Sequence, residues 1–125
     1  MVDIDTSIDH SKDLTIFKVS GAISPADFVQ TIKLYYQKEK PTKLTLWDLS
    51  EGGLQDVHLD DLEKMVLKLR PVSKSIKDAK TAIFTPVDLD FALSRIFDQL
   101  WEESGHNRRI EVFRNKKGAM DWLDV

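Results

Sequence analysis

The amino-acid sequence predicts a single α/β domain with a mostly parallel five-stranded sheet, in the order ββαβαβαβα, whose first strand is antiparallel at an edge. Short strand-like segments alternate with helical segments of about 10–15 residues, the pattern of right-handed β-α-β crossovers. The 125 residues contain no Gly/Ser/Pro-rich linker and no internal repeat, so residues 1–125 form one domain.

The first twenty residues predict a β-hairpin. Ile4 and Ile8 alternate with polar residues, which is the period-2 pattern of a half-buried strand. The apolar run Leu14–Val19 follows after the polar turn at 10–13. A turn this short joins neighbouring antiparallel strands.

Ser24 and Pro25 predict the start of the first helix. A serine hydroxyl accepts a hydrogen bond from an unpaired amide, and proline at the first helical position loses no useful donor. Apolar residues at helical spacing follow, and Pro41 ends the helix. These residues are Phe28, Ile32, Tyr35 and Tyr36.

Two further β-α units follow. The third strand, Leu44–Leu49, precedes a helix that begins near Leu59, carries an apolar stripe and ends near Pro71, with an irregular turn to Val72 and Ile76. The stripe comprises Leu62, Met65, Val66 and Leu69. A short fourth strand, Thr81–Phe84, completes this part.

Thr85 and Pro86 repeat the cap-then-proline signal for the third helix, with Asp88 and Asp90 in its opening turn and Gly105 as its left-handed stop. Its predicted buried stripe is the longest in the chain. The stripe comprises Leu89, Leu93, Ile96, Phe97, Leu100 and Trp101. The fifth strand, Ile110–Phe113, and a terminal helix over 118–123 complete the chain.

The strands contain too many polar residues for a sheet covered on both faces, since fully covered parallel strands are near-continuous apolar runs. One face is therefore expected to be well covered and the other only partly. Phe17, Trp47 and Phe113 either lie exposed on the less protected face, as a partner surface or ligand groove, or are core residues, the commoner role of aromatic side chains.

Composition excludes several classes of function. The net charge of −3 argues against a nucleic-acid backbone as the main partner, and the absence of cysteine excludes disulfides, thiolate metal sites and thiol catalysis. No apolar run approaches the ~20 residues of a membrane span, and the first residues lack a signal-peptide pattern. A cytoplasmic location is expected.

No catalytic, metal or cofactor site is predicted. The sequence lacks G-x-S-x-G and both glycine-rich phosphate-binding patterns. His10, His58 and His106 lie far apart in the sequence and include no H-x-x-x-H pair, so a metal site would need the fold to bring two of them together. A basic group near the chain end either meets an acidic partner or a membrane surface, or is a solvated face. It comprises Arg108, Arg109, Arg114, Lys116 and Lys117.

Five segments together resemble the SpoIIAA-like family, a bacterial group with the STAS-type fold, related in architecture to the lipid-binding CRAL-TRIO (Sec14) domains. They are Val19–Ser24, Leu46–Ser50, Ala79–Ile83, Ile110–Arg114 and Ala119–Leu123. The last two are the most specific. The resemblance implies sequentially ordered strands with the helices on one face, so the helices are expected to lie mainly on one side of the sheet.

The resemblance also implies regulation. In anti-sigma-factor antagonists, a serine opening the helix after the third strand is phosphorylated by a partner kinase. Segment 53–59 has no serine or threonine, and the nearest hydroxyl is that of Ser50. Asp56 could cap the helix and imitate a permanent negative charge.

Two functions follow. The first is a non-enzymatic interaction module resembling these antagonists, which contacts a protein partner through the loop after the third strand and forms a homodimer through the open sheet face. Its candidate residues are Asp48, Ser50, Gly53, Asp56 and His58.

The alternative is a small hydrophobic-ligand or lipid carrier, indicated by the long third-helix stripe and the basic residues near the chain end. A ligand of an open α/β sheet binds outside the carboxyl ends of its strands. Thr85 and Asp88 are therefore candidate rim residues.

Overall fold

The computed structural model describes residues 2–38, 40–69, 78–105 and 108–125. Within them the predicted element order is confirmed. The elements are β1 (Asp3–Asp9), β2 (Leu14–Ala22), α1 (Pro25–Lys38), β3 (Leu44–Gly53), α2 (Leu59–Leu69), β4 (Lys80–Phe84), α3 (Asp88–Glu103), β5 (Arg109–Phe113) and α4 (Lys116–Leu123). The predictions for Pro71, Val72, Ile76 and His106 fall outside the described residues.

The five strands form one sheet in the order β1-β2-β3-β4-β5. β1 pairs antiparallel with β2, and the other neighbours are parallel, as predicted. The parallel registers place Phe17, Trp47, Ile83 and Val112 in one row across the sheet. All four are buried, so this row is the floor of the main core.

The helices lie mainly on one face, but not all of them do. α1, α2 and α3 cover the face that contains Trp47, whereas α4 packs Ala119 and Leu123 on the opposite face. On that face the amino-terminal halves of β2–β4 are apolar and need a cover. Their buried residues are Leu14, Leu44, Leu46 and Ala82.

The exposed-face prediction is wrong for two of the three aromatic residues. Phe17 is 1% exposed and Trp47 is 3% exposed, and their rings stack at 4.4 Å beneath the helices. The core alternative is therefore correct for this pair. Phe113 lies on the α4 face, half-buried, with its ring 5.8 Å from that of Trp122.

The start of α1 agrees with the one predicted from the sequence, whereas the start of α3 differs from its prediction. The Ser24 hydroxyl accepts from the Asp27 amide and the Asp27 carboxylate accepts from the Ser24 amide, a reciprocal capping box. At α3 the N-cap is Val87, which offers no side-chain acceptor. Thr85 is instead fully buried, and its Oγ1 has no hydrogen-bond partner among the described residues.

Arg108 is buried at the amino edge of the sheet, although the sequence grouped it with surface cations. Its guanidinium donates to the carbonyl oxygens of Thr42, Lys43 and Lys80, at 2.7–3.1 Å. It also donates to the hydroxyls of two strand residues, Thr45 and Thr81. One side chain therefore fixes the starts of β3 and β4 relative to each other.

Replacing Arg108 with Met should destabilise the protein by about 2–4 kcal/mol, because buried acceptors lose their donors together. Urea denaturation followed by circular dichroism measures this change. Arg95→Met is the matched control: Arg95 is exposed and its ion pair with Glu111 is 3.7 Å long, so its cost should stay below about 1 kcal/mol. Equal costs for both substitutions would contradict the bracing role.

Candidate functional site

The candidate site lies at the carboxyl ends of the parallel strands. Two segments form its outer part, and we call them together the carboxyl-edge rim. They are residues 50–60, from the end of β3 to the start of α2, and residues 85–90, which lead from β4 into the first turn of α3. The Ile23 amide donates to the Gly53 carbonyl at 3.0 Å, and the Thr85 amide donates to the Phe113 carbonyl at 3.0 Å. These bonds attach both rim segments to neighbouring strands.

The loop from β3 to α2 is shaped by local hydrogen bonds. The Ser50 amide donates to the Asp48 carboxylate at 2.9 Å, and the Val57 amide donates to the Leu54 carbonyl at 2.9 Å. At the start of α2 the Asp61 carboxylate accepts from the His58 amide at 2.9 Å. Asp61, in the first turn of α2, therefore supplies the capping hydrogen bond expected of Asp56, which is exposed in the preceding turn.

The structure separates the predicted loop residues into two groups. Asp48 is buried and follows Leu44 and Leu46 on the α4 face, and Ser50 is exposed where the β2–β3 register shifts. Gly53, Asp56 and His58 continue into the loop that leads to α2.

The predicted ligand-rim residues also differ from each other. Thr85 is completely buried, whereas Asp88 is exposed and pairs with Arg114. Only Asp88 is therefore available to a ligand at the surface.

α3 is rotated relative to the sequence prediction, and this rotation defines the site. Its buried residues are Asp90, Ser94, Phe97 and Trp101, spaced so that all four share one face. Of the predicted stripe, Phe97 and Trp101 are buried, Leu93 and Leu100 are partly buried against the core, and only Leu89 and Ile96 are exposed. Two polar side chains therefore point into the protein, while Leu89 is 67% exposed.

Two narrow spaces of about 50 Å³ each lie between the sheet and the helices, the first beneath the rim and the second towards the amino edge of the sheet. The first lies between the sheet and α1–α3 and is lined by apolar side chains and Ser94. Phe28, Trp47, Ile83 and Phe97 line both spaces. Each is far below the ~300 Å³ of an ordinary ligand pocket.

Three exposed aliphatic side chains lie on the rim. Leu59 is 59% exposed, and Val87 and Leu89 are also exposed. Leu59 precedes Leu62 by three residues and Leu89 precedes Leu93 by four, so each lies one turn beyond a residue that lines the first space. The apolar faces of α2 and α3 thus continue outward onto the surface.

The rim is acidic. Segments 50–60 and 85–90 contain no lysine or arginine and five carboxylates, which are Glu51, Asp56, Asp60, Asp88 and Asp90. Burial raises the pKa of Asp90, and a hydrogen bond from the Leu54 amide opposes that rise. Within the described residues no group of three or more acidic or histidine side chains could hold a metal ion.

Sequence reasoning missed Asp90 and Ser94 as part of the site. Asp90 was assigned to the opening turn of α3, where a negative charge is ordinary. The signal that could have found both is their spacing from Phe97 and Trp101, the two largest side chains of the helix, because these decide which face is buried.

Comparison with known proteins agrees with an open α/β sheet of this topology. No family model matches the chain, and no curated protein is significantly similar to it. Among solved structures it is similar to an uncharacterised protein of the DUF3478 family from Shewanella loihica PV-4, which has a SpoIIAA-like fold. The two chains are 22% identical, with a TM-score of 0.54 over 98% of this chain and 93% of that chain.

This chain therefore has a SpoIIAA-like fold, and the resemblance seen in the sequence is confirmed at that level. The implied relation to CRAL-TRIO domains stays a prediction. None of the helices in the described part of the chain is long and apolar enough to cross a membrane.

Replacing Asp90 with Asn should raise the melting temperature at pH 7. Because burial raises its pKa, folded protein holds this proton to a higher pH than the unfolded chain does. Stability therefore falls as the pH rises from about 4 through the raised pKa. The Asp90→Asn protein does not lose stability in this way. The difference in melting temperature between it and the parent should therefore shrink towards pH 4.

Asp88→Asn is the control for this experiment. Asp88 is exposed in the same helical turn and pairs with Arg114, so its loss should slightly lower the stability at pH 7. An Asp90→Asn protein that is less stable than the parent at pH 7 would contradict the cost assigned to the buried carboxylate.

Proposed function

We propose that this protein is a non-enzymatic interaction domain that binds a protein partner at the carboxyl-edge rim. The observation that carries the proposal is the exposure of Leu59, Val87 and Leu89 on a rim whose charged groups are all carboxylates. Apolar side chains continued outward from a core favour a partner surface, since burying them is favourable and leaving them in water is not.

The chemistry of the rim indicates the partner's chemistry. Three aliphatic side chains need an apolar counterpart, and the exposed carboxylates of the rim favour lysine or arginine around it. An amphipathic segment with a basic border meets both requirements. Arg114 and Lys18 already pair with rim carboxylates, but Asp56 and Asp60 are exposed for such contacts.

The same position is consistent with a regulatory role like that of anti-sigma-factor antagonists, which use the loop after the third strand. The rim has no hydroxyl at the start of α2, where Asp60 and Asp61 supply negative charge. The negative charge of this binding surface would therefore be present at all times, without phosphorylation. Partner binding therefore does not require modification of Ser50.

The ligand-carrier alternative has less support. The two internal spaces total far less than a ligand pocket needs. Trp101 and Phe97, from the stripe that suggested a carrier, are packed into the core.

The proposal is tested by replacing the leucine at residue 89 with a photo-crosslinking amino acid in cells. The same replacement at residue 67 is the control, since Leu67 is 53% exposed on α2 but lies away from the rim. We expect one discrete protein to be crosslinked from position 89 and not from position 67. Equal or diffuse crosslinking from both positions would contradict the proposal.

The identified partner then allows a quantitative test by calorimetry. Leu59→Asp with Leu89→Asp should weaken binding at least about tenfold, because desolvated apolar anchors dominate such interfaces. Leu67→Asp should leave the affinity within about twofold. Since all three leucines are exposed, thermal stability should change little in either protein.

A further inference from the structure

β5 is an edge strand of the sheet. Among the described residues it pairs with no strand other than β4. The Arg109 amide donates to Ala79 and the Phe113 carbonyl accepts from Thr85, so alternate residues of β5 direct their backbone groups towards β4. By the same alternation Ile110 and Val112 direct theirs outward, away from the sheet.

An open groove runs beside this edge, between β5 and α3. Its volume is about 400 Å³, and it is lined by side chains of both charges. Arg95, Asp98 and Glu102 contribute from α3, and Arg109 and Glu111 from β5. The unpaired strand edge therefore borders a space into which a second element can fit.

The charges of β5 are complementary to those of a second β5 in the antiparallel direction. With a two-fold axis at Ile110, the outward backbone groups of Ile110 pair with their own copy. Arg109 then lies directly opposite Glu111 of the second copy, and Glu111 opposite Arg109, at the close spacing of a non-hydrogen-bonded pair. Arg109 is held at the edge, with its guanidinium 5.5 Å from the Trp122 ring.

The other edge of the sheet lacks this property. β1 carries Asp3, Asp5 and Asp9 on one face, so antiparallel pairing of β1 with its copy would place carboxylates together. Charges of this kind are a known means of preventing edge association. The two edges are therefore not equivalent for self-association.

We propose that the protein forms a two-fold symmetric dimer through antiparallel pairing of β5 about Ile110, which joins the two sheets into one. The two copies of α3 then run antiparallel along the groove. This brings Arg95 of each helix, which pairs with Glu111 of its own strand at 3.7 Å, towards the Glu102 end of the other helix. The carboxyl-edge rim is not part of this interface.

Sedimentation velocity on the full chain tests the proposal with charge reversals. The parent protein should sediment as a dimer at sub-millimolar concentration. Arg109→Glu and Glu111→Arg, each alone, should weaken the dimer about tenfold or more, because like charges then face each other. The two substitutions together restore opposite charges and should restore the dimer.

Glu63→Arg is the matched control, since it makes the same charge change at an exposed site on α2 and should leave the dimer unchanged. Hydrogen exchange on the unmodified protein needs no variant at all. The amide of Ile110 should become protected as the protein concentration rises.

Three results would overturn the proposal. They are a monomeric parent with an unprotected Ile110 amide, a dimer that survives both single reversals, and a double substitution that fails to restore association. The first of these would indicate that the edge either remains open or pairs with a different protein.

Discussion

A continuous row of aromatic rings determines how the helices lie on the sheet. Phe17 stacks on Trp47 at 4.4 Å, Trp47 contacts Phe28 at 4.7 Å, and Phe28 meets Phe97 edge-on at 5.7 Å. These ring contacts join β2 to β3, β3 to α1, and α1 to α3. Large rings contribute most of the burial energy of a core, so the helices adopt the positions that keep these rings in contact.

The rotation of α3 follows from these aromatic contacts. Phe97 and Trp101 must face the sheet, and the centres of their two rings lie 6.0 Å apart. Asp90 and Ser94 share that helical face and are therefore buried with them. Leu89 and Ile96 are displaced to the surface for the same reason. The aromatic contacts thus outweigh the burial of a carboxylate and leave an apolar rim as their consequence.

The sequence could predict the fold because local patterns and topology agree. Residue alternation in β1, the Ser24–Pro25 helix start and the strand-helix spacing each depend on neighbours in the chain, and each is confirmed. The placement of α4 was beyond this reasoning: its short apolar face suits either side of the sheet. The side on which α4 packs is decided by the apolar patch around Leu46 and Ala82, which exists only after the strands have assembled.

The candidate site was predictable in location but not in composition. Carboxyl ends of parallel strands are where open α/β sheets bind their ligands, so the sequence predicts a site at the loop after β3, and that location stays a prediction. The buried Asp90, the exposed Leu89 and the buried Arg108 were not predicted, because each depends on long-range packing. Arg108, for example, bonds to carbonyl oxygens of residues 42, 43 and 80, which only the folded sheet brings together.

α3 connects the two surfaces on which the proposals depend. Its first turn forms part of the carboxyl-edge rim, and its middle and end border the β5 groove. Because a helix rises about 1.5 Å per residue, Leu89 and Glu102 lie about 20 Å apart along the axis. A partner on the rim and a second copy on β5 can therefore bind at the same time. Two rims on one dimer would give a partner with two binding segments a large gain in avidity, which neither surface could supply alone.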